Sequence, residues 1–184
     1  MSKQYICRSL TVNDLERVMG WRMSPQVTQF MNTDPILTLE GQQRWFNEMS
    51  SDGNFHHWVI NVDNTPCGVI YLSCIDNTNK RCTWGYYIAE TKMRSFYLAL
   101  ALEVSLYDYT FDLMGFNKVI GESFCLNTTA IKMHELCGCK TEGILRQHIL
   151  KNGQYYDICV QSMLASDWDK IRNNFDVKRI NFVD

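Results

Sequence analysis

Two titratable side chains lie in segments where a charged group is unexpected. Glu122 interrupts the apolar run 119–124, which has the pattern of a strand, and His134 lies in 127–137, which has the spacing of a helix. A carboxylate in an apolar strand is costly unless it is paired or functional, and an imidazole exchanges its proton near neutral pH. We therefore predict acid–base roles for Glu122 and His134. The alternatives are an exposed or edge carboxylate and a structural histidine.

The junction 88–99 indicates a different chemistry, the binding of an anion. A strand ends at Ala89, a loop with Lys92 and Arg94 follows, and a long apolar helix begins at Ser95. The first N–H groups of a helix have no intrahelical partner and lie at the positive end of the helix dipole. They therefore form a natural phosphate site. The alternative is an ordinary basic loop between a strand and a helix.

Composition excludes several classes of function. The chain has 184 residues, of which 46% are apolar, and 18 basic side chains face 20 acidic ones, for a net charge of −2. The length favours a single domain, residues 1–184. The balanced charge gives no reason to expect nucleic acid or a membrane as partner. No apolar run reaches the length of a membrane-spanning helix, and the N-terminus lacks the apolar core of a secretion signal. We expect a cytoplasmic protein.

The eight cysteines do not indicate a disulfide framework or a metal site. Most of them lie inside apolar runs, and a chain of this length does not need disulfides to be stable. Cys137 and Cys139 form a C-x-C pair without a partner pair at zinc-finger spacing. We expect free thiols in a reducing compartment and no bound metal.

The elements that position these groups follow a recognisable order. A first strand is followed by two or three helices, three strands, a long helix, a strand, a helix and a final hairpin with a closing helix. Strands that are first clustered and then alternate with helices indicate a mixed α/β sheet. The predicted strands are 5–10, 57–62, 67–75, 82–89, 119–124, 141–151 and 155–164, and the main helices are 38–49, 95–113, 127–137 and 166–176.

Three segments resemble the GCN5-related N-acetyltransferases (GNAT family). Residues 64–75 resemble the family's turn and strand, 84–101 its strand, basic loop and helix, and 127–139 its pattern N-x-x-A-I-x-x-[Y/H]-E-x-x-G-[F/C]. The resemblance implies an α/β GNAT fold, with a mixed sheet of about seven strands that is splayed between the fourth and fifth and flanked by helices. It also implies acetyl-CoA as co-substrate.

The resemblance assigns roles around that splay. The N–H of Ile88 would stabilise the oxyanion, Glu122 would act as base through water, and His134 would be the acid toward the sulfur. Two residues depart from the family pattern, since Tyr97 replaces the central glycine of the loop R/Q-x-x-G-x-G/A and His134 stands where tyrosine is common. Helix amides need no positive φ, so phosphate binding can survive Tyr97, although its bulk could reshape the site. The implied acetyl-CoA-binding residues are Tyr87, Ile88, Ala89, Arg94, Ser95, Phe96, Tyr97, Leu98, Ala99, Asn127 and Ala130.

A narrower resemblance concerns the acceptor. Residues 21–46 and 142–168 resemble the N-acetyltransferases of pseudaminic acid biosynthesis, which acetylate UDP-4-amino-4,6-dideoxy-N-acetyl-β-L-altrosamine. The implied reaction is direct acetyl transfer to the 4-amino group of a UDP-linked amino sugar, for glycosylation of flagellin or another surface glycan. Arginine suits a diphosphate, and Met and aromatic side chains suit a base. The implied acceptor residues are Arg22, Met31, Arg44, Trp45, Trp84 and Tyr86, with ordinary packing as the alternative for each.

Other acceptors remain open. The C-terminal pattern is shared with ribosomal-protein N-terminal acetyltransferases and with polyamine acetyltransferases. A polyamine pocket should be rich in carboxylates, whereas the front half carries Glu16, Asp34, Glu40 and Glu48 only in loose array. A non-catalytic acetyl-CoA-binding module is the alternative from another class, and Tyr97 supports it. The resemblance also leaves a homodimer open.

Overall fold

In the computed structural model, which describes residues 3–183, six α-helices flank one mixed sheet of eight strands. The strands are β1 (Tyr5–Ser9), β2 (His56–Val62), β3 (Thr65–Asp76), β4 (Arg81–Ile88), β5 (Lys118–Phe124), β6 (Lys140–Lys151), β7 (Gln154–Leu164) and β8 (Asn181–Val183). The helices are α1 (Leu15–Arg22), α2 (Pro25–Thr28), α3 (Leu39–Ser51), α4 (Phe96–Asp108), α5 (Thr128–Leu136) and α6 (Ala165–Ile171). The predicted α/β class and mixed sheet are confirmed.

The strand order is β6-β7-β5-β4-β3-β2-β1-β8. Neighbouring strands are antiparallel except β4 with β5 and β1 with β8, which are parallel. β4 and β5 pair only from Arg81 to Trp84 on one strand and from Lys118 to Gly121 on the other. Both strands continue beyond that point and separate, so the splay predicted between the fourth and fifth strands is confirmed.

Both faces of the central strands are buried. Successive residues of a strand point to opposite faces, and β2 shows the result: Trp58 and Ile60 pack in the core that contains α4, while Val59 packs in the core beneath α1 and α3. α4 is apolar almost throughout, and Leu98 and Leu102 are fully buried. The long apolar segment is therefore a central helix of the protein core.

The segment between α2 and α3 is tied to the far hairpin. The Lys151 ammonium, at the end of β6, donates to the carbonyl oxygens of Thr28 at 2.5 Å and Met31 at 2.9 Å. It also forms an ion pair with Asp34 at 2.9 Å, to which Asn152 adds a hydrogen bond at 2.7 Å. These contacts hold the pKa of Asp34 below its usual range.

The structure differs from the prediction at the end of α4 and near the C-terminus. The helix predicted over 95–113 is regular only to Asp108, and Tyr109–Leu113 forms a π-helical turn. The chain also adds an unpredicted eighth strand, β8, parallel to β1. Three residues are too few to show a strand period in the sequence. Phe182 of β8 packs edge-on against Trp58, with the two ring centroids 4.9 Å apart, and this contact helps to hold β8 in place.

The burial of α4 gives a stability prediction. Leu102→Ala should lower the free energy of unfolding by about 2–5 kcal/mol, because a fully buried side chain leaves a cavity. Leu113→Ala is the matched control: that side chain is 76% exposed, and its removal should change stability by less than about 0.5 kcal/mol. Urea unfolding followed by circular dichroism measures both. Equal losses for the two variants would contradict the assignment of α4 to the core.

Candidate functional site

A cavity of about 1290 Å³ opens where β4 and β5 separate. It is lined by β4 and β5, the first turn of α4, one face of α5, and the segment that follows α2. Pockets for a single small ligand are typically about 300–1,000 Å³. The cavity therefore has room for two ligands that meet at the splay.

The start of α4 forms one end of this cavity. Ser95 is the N-cap: its Oγ accepts the Leu98 N–H at 3.1 Å, and its carbonyl accepts the Ala99 N–H at 3.1 Å. The N–H groups of Phe96 and Tyr97 precede the first intrahelical bond, at the positive end of the helix. This is the geometry of a helix N-terminal phosphate site.

The backbone of β4 supplies a further donor at the splay. The N–H of Ala89 donates to the carbonyl of Cys67 in β3 at 2.8 Å. Hydrogen-bonded and non-hydrogen-bonded pairs alternate along an antiparallel ladder. The N–H of Ile88 therefore points away from β3, into the gap that β5 has left. Gly68 permits this arrangement, because a Cβ there would lie 2.1 Å from the carbonyl oxygen of Tyr87.

The two predicted acid–base residues line the same cavity. Glu122 is exposed on β5, and its carboxylate forms no ion pair within residues 3–183. His134 on α5 is buried, and its ring lies edge-on to Trp84 with centroids 5.1 Å apart. Its Nε2 lies 4.0 Å from where a Cβ on Gly121 would stand, at the end of the β4–β5 pairing. The structure thus brings Glu122 and His134 into the lining of one cavity.

Comparison with known proteins decides the family. The family model described as "Acetyltransferase (GNAT) domain" matches residues 5–140, more than half of the chain. The chain belongs to the GNAT acetyltransferase family. It is an N-acetyltransferase, and its co-substrate is acetyl-CoA.

Three relatives illustrate the range of similarity. An uncharacterized N-acetyltransferase, p20 of Bacillus licheniformis, is 24% identical over 88% of this chain and 93% of its own. The acetyltransferase PseH of Campylobacter jejuni is 25% identical over 68% of this chain and 76% of its own. The crystal structure of spermidine N-acetyltransferase from Vibrio cholerae with CoA and spermine has a TM-score of 0.84 at 20% identity, covering 90% of this chain and 98% of its own. That enzyme has also been solved as a dodecamer.

Most of the GNAT residues predicted for acetyl-CoA line the cavity. They are Tyr87, Ile88, Arg94, Ser95, Phe96, Ala99, Asn127 and Ala130. Two of these side chains already form hydrogen bonds within the protein. Arg94 donates through Nε to the Ile88 carbonyl at 2.8 Å and through Nη2 to the Gln26 carbonyl at 3.1 Å, so it ties the end of β4 to α2. Asn127 Oδ1 caps α5 by accepting the Ala130 N–H at 3.3 Å, which leaves its Nδ2 as a donor.

Three of the predicted residues do not present side chains to the cavity. Leu98 and Ala89 are buried in the two cores, so they could contribute only through the backbone. The Tyr97 ring packs against Tyr5 with centroids 5.9 Å apart, and its hydroxyl accepts the Lys178 N–H at 3.0 Å. The residue that replaces the usual glycine therefore directs its bulk away from the cavity.

The predicted acceptor residues divide into two groups. Arg22, Met31, Trp84 and Tyr86 line the cavity. Arg44 and Trp45 were predicted with them, and this placement is corrected: neither is among the lining residues within 3–183. Arg44 is exposed and pairs with Glu40 at 2.7 Å, whereas Trp45 packs edge-on against His57 at 5.3 Å. Consecutive helix residues point in different directions. On α3, Arg44 points to solvent and Trp45 packs toward the core.

The end of the cavity that carries the predicted acceptor residues contains polar atoms without partners. Arg22 Nε and Tyr87 Oη are buried and form no hydrogen bond within the described part of the chain. Burial, with smaller contributions from the charges of Arg22 and His56, lowers the pKa of His57 to about 4. His57 is therefore neutral near pH 7 and adds no positive charge. Burial raises the pKa of Tyr71, and the charges of Arg22 and Glu122 both act on it, so all three lie at this end.

One buried charged residue beside the site was missed by the sequence reasoning. Glu103 on α4 is fully buried, and its carboxylate is hydrogen-bonded to Nδ1 of His134. The signal was present, since Glu103 is the one acidic residue between Phe96 and Tyr107 in an apolar helix. The same argument had selected Glu122.

The structure also reports on metal, membrane and thiol chemistry. Within residues 3–183, no group of three or more His, Cys, Asp or Glu side chains is arranged to hold a metal ion. No helix in that range is both long enough and apolar enough to cross a bilayer. All eight cysteines are free thiols, and six of them are buried.

The orientation of Tyr97 gives a binding prediction. Tyr97→Ala should change the Kd for CoA by less than about threefold, which corresponds to under ~0.7 kcal/mol, because the side chain lies outside the cavity. Ser95→Ala should weaken binding more, since losing an N-cap costs about 1 kcal/mol and loosens the amides of the first turn. Isothermal titration calorimetry with CoA measures both. A tenfold weakening in Tyr97→Ala alone would contradict this placement.

Proposed function

We propose that this N-acetyltransferase acetylates the 4-amino group of a UDP-linked amino-dideoxy sugar, as in pseudaminic acid biosynthesis, to supply a surface glycan such as that of flagellin. The observation that carries the proposal is the charge of the acceptor end. Arg22 forms no ion pair within the described residues, and its buried Nε has no hydrogen-bond partner. An unpaired guanidinium in a cavity suits a diphosphate, which it can bind through two parallel hydrogen bonds.

Basic side chains outnumber acidic ones in the lining of the cavity. Arg22, Arg94 and Lys132 line it, and Glu122 is the single carboxylate among the described lining residues. A polyamine carries several positive charges and needs carboxylates to bind them. The Vibrio cholerae spermidine enzyme is similar in fold, with a TM-score of 0.84, and in sequence, with 20% identity over 91% of this chain. The similarity to PseH, at 25% identity, agrees with an amino-sugar acceptor.

The residues of the splay account for the reaction. Bound acetyl-CoA supplies the acetyl thioester, with its phosphates toward the N–H groups of Phe96 and Tyr97. The N–H of Ile88 donates to the carbonyl oxygen as negative charge develops there, a contribution of about 3 kcal/mol. Glu122 takes one proton from the attacking amine through a water molecule, and Nε2 of His134 gives one proton to the departing sulfur. One C–N bond forms and one C–S bond breaks.

A thiol-release assay with acetyl-CoA tests the acceptor directly. The UDP-4-amino sugar, spermidine and a peptide with a free N-terminus are offered in parallel. We expect release only with the sugar. Release with spermidine or the peptide would keep the acetyltransferase and overturn the acceptor. Binding of acetyl-CoA without release for any amine would favour the non-catalytic module.

The role of Arg22 gives a matched pair of variants. Arg22→Gln should raise the KM for the UDP-sugar by about tenfold to a hundredfold, since hydrogen bonds to charged groups contribute about 1.5–3 kcal/mol. Its affinity for CoA should stay unchanged. Arg17→Gln, on the exposed side of the same helix, should leave both constants unchanged. An unaltered KM in Arg22→Gln would show that the diphosphate does not bind there.

A further inference from the structure

Glu103 is the most deeply buried charged side chain that the proposed reaction has not yet used. It lies on α4 among apolar neighbours, and none of its surface is accessible. Its Oε1 is hydrogen-bonded to Nδ1 of His134, and its Oε2 has no hydrogen-bond partner within residues 3–183. A buried carboxylate is strongly destabilising unless a partner offsets its charge. A purely structural role would be served better by an apolar residue.

The surroundings leave one partner that can carry a positive charge. The titratable groups that face Glu103 are Tyr86 of β4, Tyr107 of α4, and Cys137 and Cys139 after α5. Burial first, and then the charge of Glu103, raises the pKa of both tyrosines and of Cys137, and burial raises the pKa of Cys139 as well. These four groups stay protonated and neutral. The imidazole is the only ion-pair partner of Glu103 in the described chain.

The geometry of the ring then determines which nitrogen reaches the substrate. Nδ1 is held by Glu103 on the core side, and the Trp84 indole packs against the ring at 5.1 Å. Nε2 lies toward Gly121, where the pairing of β4 and β5 ends. A histidine whose Nδ1–H binds a carboxylate has its tautomer and orientation fixed.

We propose that Glu103 is the positioning residue for acetyl transfer, and that its carboxylate holds His134 so that Nε2 carries the proton delivered to the departing sulfur. The inference rests on the proposed acid role of His134. When the C–S bond breaks, the sulfur takes the proton from Nε2. The imidazole becomes neutral and keeps its Nδ1–H on Glu103, and Nε2 regains a proton from solvent through the open cavity. Glu103 touches no substrate and acts only through the ring.

Ring nitrogen NMR of the free protein tests the geometry without any acceptor. The chain has four histidines, and the His134 signals are identified by their loss in His134→Gln. We expect a proton on Nδ1 of His134 in the wild type at every pH from 6 to 9, and a changed Nδ1 signal in Glu103→Gln. The exposed His148 on β6 is the internal control and should be unaffected. A neutral His134 protonated at Nε2 would overturn the proposal.

Rates test the catalytic consequence with whichever amine supports turnover. Glu103→Gln keeps the shape and a hydrogen bond but loses the charge, so kcat should fall by about 10²-fold, within the usual range for general acid–base groups. The exposed Glu135→Gln on α5 should leave kcat unchanged.

A double variant separates positioning from folding. Glu103→Gln with His134→Gln should be no slower than His134→Gln alone, because Glu103 has nothing left to position. Additive losses would overturn the proposal. Circular dichroism and thermal unfolding establish that each variant is folded. If spermidine or the peptide supports turnover where the sugar does not, and Nδ1 still carries the proton, the acceptor assignment fails and the Glu103–His134 proposal stands. If no amine supports turnover, the proposed role of the pair in acetyl transfer fails as well.

Discussion

Beyond Trp84 and Gly121, β4 and β5 share no further backbone pairing, although each continues as a strand. Buried backbone N–H and C=O groups need partners, so such a gap persists only because each strand keeps its neighbour on the other side. β4 remains paired with β3 as far as Ile88, and β5 with β7 as far as Phe124. The gap exposes unpaired peptide groups at strand spacing. An extended ligand with amide groups, such as the pantetheine arm, can add to it as a peptide adds to a sheet edge.

α4 fills the space beneath this gap and contributes to both ends of the site. Its first turn presents free N–H groups at the cavity, while Glu103 lies about 12 Å further along the same axis, at 1.5 Å per residue from Ser95. The helical rise fixes the distance between these two features, and the buried apolar surface of the helix fixes where both of them lie relative to the sheet. A helix with a solvated face could shift along its axis, whereas one buried on all sides cannot do so without opening the core.

The sequence predicted the order of elements because this order depends on periodicity and on local signals such as caps and turns, whereas the splay was predicted from the resemblance to the GNAT family. The sequence also selected Glu122 and His134, which both line one cavity. Arg44 and Trp45 were misplaced because the sequence gives a helical face but not which element that face meets. β8 and the π-helical turn depend on tertiary contacts, including Phe182 on Trp58. Glu103 was overlooked because its partner lies 31 positions away in the chain.

The contact between Lys151 and the segment after α2 means that two walls of the cavity are held by different parts of the chain. Met31 and its neighbours line the acceptor side of the cavity, yet they are anchored by a hairpin that belongs to the other end of the chain. The predicted acetyl-CoA side depends chiefly on β4, α4 and α5, and Arg94 is its link to α2. A short insertion or exchange in 29–38, matched at Lys151, would therefore reshape one side of the cavity while leaving β4, α4 and α5 in place.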